Sequence, residues 1–156
     1  MFGSKEYIHK ILGEMEEEKR INRFTSPWVK GFLKHYPSMD FDFIRYILFS
    51  VWKELDFDDP CVIKRIHLSQ KIKILEAKPN KDDDYMAKFE AEDQNKIYII
   101  HDIAGYCSCM EESQCLEICR HNIALMKKVI EETGTDAEKI EFEEKYNDII
   151  SKHNEV

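Results

Sequence analysis

Cys107-Ser108-Cys109, then nine residues, then Cys119-Arg120-His121-Asn122-Ile123-Ala124-Leu125, is the stretch on which the fold turns. Ahead of it the apolar residues alternate as in strands, and behind it they recur as in a helix. Zinc takes four N or S ligands at the corners of a tetrahedron. A Cys-x-Cys pair on a turn gives two thiolates on one side of an ion. A Cys-x-His pair entering a helix gives the other two donors, and the helix N-terminus favours thiolate through its dipole. Cys107, Cys109, Cys119 and His121 are therefore expected to hold one structural Zn2+. Four protein ligands leave no position for a catalytic water. Cys115, inside the spacer, is an alternative ligand that gives an all-cysteine site without His121. In an enzymatic reading the zinc is open at one position, and Cys115 or Glu117 serves the chemistry.

The chain has 5 cysteines, and four of them fall within thirteen residues. An odd count excludes a complete disulfide framework and points to a reducing compartment, nuclear or cytoplasmic, where such a cluster is a metal site. Cys61, remote in sequence, reads as a buried small hydrophobe. The 156 residues are 43% hydrophobic and 35% charged, which suits a single domain with a solvated surface. No apolar run reaches membrane length, and the first residues lack the apolar segment of a signal peptide. The net charge is −8, whereas a protein that grips a nucleic-acid backbone by itself is usually basic.

Outward from the cysteines, the pattern predicts an α+β fold. Ile8, Ile11, Leu12 and Met15 predict an amphipathic helix from Ser4 to about Ile21. Trp28, Phe32 and Leu33 predict a short helix between Pro27 and Tyr36-Pro37. Ser38 opens a stronger helix, Asp40 to Leu55, carrying Ile44, Ile47, Leu48 and Val51, with Phe41, Phe43 and Trp52 widening an apolar stripe that reads as core. Val62 to Ile66 reads as a short strand, and Lys71 to Ala77 alternates less cleanly. Tyr85, Ala87, Phe89 and Ala91 form one face of a strand. Asp93-Gln94-Asn95 turns the chain, and Ile97, Ile99, His101 and Ile103 continue an antiparallel meander. A helix from Cys119 to Glu132 buries Ile123, Leu125, Met126, Val129 and Ile130 and stops at Gly134. Thr135 and Glu138 form a capping box for the last helix, whose apolar face is Ile140, Phe142, Tyr146, Ile149 and Ile150. The architecture divides into an N-terminal helical region (1–60), a meander with the zinc finger (61–134) and an acidic C-terminal helix (135–156). That tail sets seven acids against three lysines, half of the net charge.

Other polar groups carry less. Asp82-Asp83-Asp84 reads as a solvated turn, because no further carboxylates follow at calcium-loop spacing. His101-Asp102 lacks a second ligand pair and reads as a strand residue beside a surface acid. Arg120, Lys127 and Lys128 form a small basic patch that reads as solvated surface. No Gly-rich phosphate loop and no Ser-His-Asp ordering is present, so no catalytic set is expected.

Cys-x-Cys, a variable spacer and Cys-x-His, set between strands and a helix, resemble the SWIM zinc finger, and Ala124, three positions after His121, is similar to the extended motif of the small SWIM subunits of Shu complexes. The likeness covers about Tyr85 to Met126. It departs where Met110-Glu111-Glu112 stands in place of the proline and aromatic common after the first pair. The resemblance implies a non-catalytic adaptor, with zinc on Cys107, Cys109, Cys119 and His121. It further implies pairing with a RecA-like recombinase paralog to promote recombinase filaments on single-stranded DNA in homologous recombination and DNA repair. The alternative it leaves open is a direct nucleic-acid-binding SWIM module of a transposase-like or helicase-associated protein.

Overall fold

The computed structural model describes residues 5–22, 26–35, 40–75, 88–100, 107–109 and 118–152. Helices α1 (Lys5–Asn22), α2 (Pro27–His35), α3 (Phe41–Glu54) and α4 (Pro60–Ser69) come first. Strands β1 (Lys73–Ile74), β2 (Phe89–Asp93) and β3 (Lys96–Ile100) follow, then helices α5 (Arg120–Thr133) and α6 (Asp136–Lys152). The strands form one antiparallel sheet in the order β1-β2-β3. The fold is α+β, with helices at both ends of a small meander.

The caps explain the helix boundaries. Asp40 accepts hydrogen bonds from the amides of Asp42 at 3.0 Å and Phe43 at 3.4 Å, so α3 starts on Asp40. Asp59 accepts from the Cys61 amide at 2.9 Å, with Pro60 in the first turn. That cap corrects the strand expected over Val62 to Ile66, which is the middle of α4. Val62, Ile63 and Ile66 are buried on one helical face. Their β-branched side chains suggest a strand, but the Asp-Pro start and the packing of that face prevail. Thr135 and Glu138 make the expected box, the Thr135 amide donating to Oε1 at 3.0 Å and the Glu138 amide to Oγ1 at 3.2 Å.

β2 and β3 meet in a two-residue hairpin. Gln94 and Asn95 have φ of 51° and 66°, the left-handed pair of a type I′ turn, and Asp93 pairs with Lys96 across it. Gly134 ends α5 in extended backbone, φ −69°, rather than in the left-handed region. Its need for glycine is space: a Cβ there would lie 2.5 Å from the Ile130 carbonyl oxygen.

α5 is the central element. Ile123, Leu125, Met126, Val129 and Ile130 are all at most 1% exposed, as expected for a helix enclosed on nearly all sides. The buried residues form one cluster that runs from α2 to α6. Phe32 stacks on Phe89 and meets Phe41 edge-on, and Trp52 packs against Phe57, Phe142 and Tyr146. Tyr146 reaches the Ser69 hydroxyl at 2.7 Å, which ties α6 to α4.

Three apolar expectations differ. On α1, Ile8, Ile11, Leu12 and Met15 are 36–53% exposed, so the stripe forms but has no core beneath it among the described residues. Phe43 and Ile140 are also exposed, on the outer faces of α3 and α6. The expected strand positions Tyr85, Ala87, His101 and Ile103, and Asp82 to Asp84, lie outside the described residues.

Candidate metal centre

Two elements bring the donors together. Beyond β3 the chain returns antiparallel, Cys107 bridging to Ile100. Its turn is pinned to Ile99 twice, Ser108 N–H donating to the Ile99 carbonyl and Ile99 N–H to Ser108 Oγ, each at 2.9 Å. This sets Cys107 and Cys109 at the sheet edge. Cys119 is the N-cap of α5 and His121 lies in its first turn. The Arg65 guanidinium donates to the Ile118 carbonyl at 2.9 Å and fixes the approach to that cap.

One donor atom from each of Cys107, Cys109, Cys119 and His121 lies within 4.8 Å of the others. Cys107 Sγ is 3.6 Å from His121 Nδ1. Metal–sulfur bonds of about 2.3 Å and metal–nitrogen bonds of about 2.0–2.1 Å place S and N about 3.6 Å apart on a tetrahedron's edge. Cys107 and Cys119 are fully buried and His121 is 2% exposed. The four residues could hold a metal ion, and their donor types and spacing fit a tetrahedral one.

The surroundings suit that role. His121 Nε2 is 3.1 Å from Asp93 Oδ2, so Nδ1 is left for the sulfur side. Tyr98 stacks on the imidazole at 4.5 Å. Cys119 Sγ accepts from the Asn122 backbone and side-chain N–H groups, each at 3.4 Å. Hydrogen bonds from Cys107 and Cys109, helped by His121 and the Asn122 amide, hold the Cys119 thiol well below its usual range. Hydrogen bonds with Cys109 and Cys119, together with burial, push Cys107 up. Burial alone would lower the His121 imidazole, but the bonds and charges of Cys109 and Cys119 prevail and push it up to about 10.

Cys115, Glu117 and His101-Asp102 lie outside the described residues. Cys61 is half-buried rather than buried, at a cleft that Cys109 and His121 also line. Arg120, Lys127 and Lys128 do not act as one patch. Lys127 pairs with Glu131 and lies over the Tyr146 ring, Lys128 pairs with Glu132 and lies over Trp28, and Arg120 turns to Asp93. Asp93 is the site residue that sequence reasoning missed, having been read as part of a turn. The only signal available was its place at the inward end of an alternating strand, where it is 8% exposed.

Compared with family models, curated proteins and solved structures, the chain matches none. Fold and site define its class: an α+β protein whose buried cluster of three cysteines and one histidine is able to take a metal ion. Among the described residues, no helix is long and apolar enough to cross a membrane.

Proposed function

We propose that this chain is a non-catalytic, zinc-stabilised adaptor of the SWIM type. The observation that carries the reading is the closed donor set, Cys107, Cys109, Cys119 and His121. Asp93 occupies the second imidazole nitrogen. Three thiolates and an imidazole in a tetrahedron suit zinc, and a sphere filled by protein leaves no place for substrate. The ion's part is then to join the sheet edge to the start of α5, and so to supply folding free energy.

The partner in this reading is a RecA-like recombinase paralog, and the task is to promote recombinase filaments on single-stranded DNA in homologous recombination. The Cys-x-Cys and Cys-x-His resemblance supports it, as does a net charge of −8, which favours a protein partner over naked DNA. The setting is nuclear in a eukaryote and cytoplasmic otherwise. Affinity purification of the tagged chain from its own cell tests the reading. Recovery of a RecA-like ATPase subunit supports it. Recovery of transposition or ubiquitin-pathway proteins overturns it, as does tight binding of the purified chain alone to DNA with a steep salt dependence.

A further inference from the structure

Asn122 lies in the first turn of α5 and is fully buried, at 0% exposed, beside Ile123 at 1%. Asparagine is a costly residue there. It is mostly a surface side chain, and its amide competes with the helix backbone for hydrogen bonds. Its contacts show what it does. The backbone N–H and the side-chain Nδ2–H of Asn122 both donate to Cys119 Sγ, each at 3.4 Å. The first is the N-cap bond of α5, which any residue except proline can supply. The second needs a side-chain donor and is particular to Asn122. A metal-bound sulfur there has little other help. A zinc ion with three thiolates and a neutral imidazole carries one net negative charge, and Cys119 itself is fully buried. Where water has no access, N–H dipoles aimed at sulfur take over the solvation of that charge.

We infer that Asn122 is a positioning residue of the metal centre, whose side-chain N–H draws charge from the Cys119 thiolate and secures that ligand on the ion. The inference rests on the zinc reading above and deepens it. An N–H donor stabilises the thiolate, the form a metal binds, and makes it a weaker nucleophile toward anything else. Asn122 then does for Cys119 what Asp93 does for His121: each partner, from outside the donor set, holds one ligand in its binding state. The helix gains nothing from this amide in propensity, since asparagine is a weak helix former.

Cobalt(II) loaded into the full chain is the probe. In a tetrahedral N/S site its ligand-field bands report geometry, and its sulfur-to-metal charge-transfer band reports the charge on sulfur. Asn122→Leu removes the donor and keeps the volume, whereas Asn122→Ala removes both. Each variant is expected to move the charge-transfer band to longer wavelength with the ligand-field bands unchanged. Each should also weaken zinc binding about tenfold in competition with a chromophoric chelator. If one variant does not fold, the other carries the comparison. A packing role predicts otherwise, with Asn122→Leu like the parent chain and only Asn122→Ala affected. That pattern overturns the inference, as do altered ligand-field bands, an unmoved charge-transfer band and affinity in a folded variant, or loss of the fold in both. A parent chain that takes up neither cobalt nor zinc overturns the zinc reading itself, and this outcome is seen before any variant is made.

Discussion

Asp93 Oδ2 stands 3.1 Å from His121 Nε2, and this contact fixes which nitrogen faces the sulfurs. A carboxylate in that position orients the imidazole and raises its basicity as a ligand. Asp93→Asn is therefore expected to lower zinc affinity about 10–100-fold, read by competition with a chromophoric chelator. Proton release is a second signature. His121 is pushed up to about 10 and Cys107 is also pushed up, so at neutral pH both hold protons that a metal must displace, whereas Cys119 is held down. Zinc uptake at pH 7 should release about two protons from these groups, and affinity should fall as pH falls. A weakly buffered titration with an indicator dye measures this, and uptake without proton release would contradict it. Of the site, the four donors were legible because metal-ligand spacing is local in sequence. Asp93 was not, because its role depends on a hairpin that carries it across to α5, and no short motif encodes that approach.

At the scale of elements, the capping residues decided what periodicity left ambiguous. Val62 to Ile66 reads as a strand by composition, yet Asp59-Pro60 starts a helix there, and Asp59→Ala should cost about 1 kcal/mol in denaturant melts. The helix after Thr135 was legible from its capping box. Those after Pro27 and over Asp40 to Leu55 were legible from apolar periodicity, with Ser38 rather than the true cap Asp40 read as the opener of the latter. The β2–β3 hairpin was legible from alternation about Asp93-Gln94-Asn95. Burial was less legible, because an amphipathic stripe states that a face is apolar and not what covers it. Ile8, Ile11, Leu12 and Met15 make such a stripe on α1 and remain exposed. Leu12→Ser is expected to change stability by no more than about 0.5 kcal/mol, whereas Leu48→Ala, at a fully buried position of α3, should cost about 2–5 kcal/mol. Gly134→Ala should destabilise by about 1–3 kcal/mol, because the added Cβ meets the Ile130 carbonyl. Equal melting of Leu12→Ser and Leu48→Ala would contradict this placement of the core.

For the whole molecule, α5 links two kinds of stabilisation. Its sides belong to the apolar cluster that runs from α2 to α6, and its N-terminus supplies Cys119 and His121. The sheet reaches the same point through Cys107 and Cys109, at the edge of β3. A metal ion held there would close a junction that the short strands, two to five residues each, hold weakly by themselves. Cys119→Ser or His121→Ala should accordingly loosen the strand-to-helix junction rather than abolish a turnover. The most direct measurement is elemental analysis of the purified chain, followed by thermal melting before and after a strong chelator. About one zinc per chain is expected, with loss of the cooperative transition on chelation and its return when zinc is added back. A metal-free chain that is fully folded, with the same transition as the zinc-treated sample, would contradict the account.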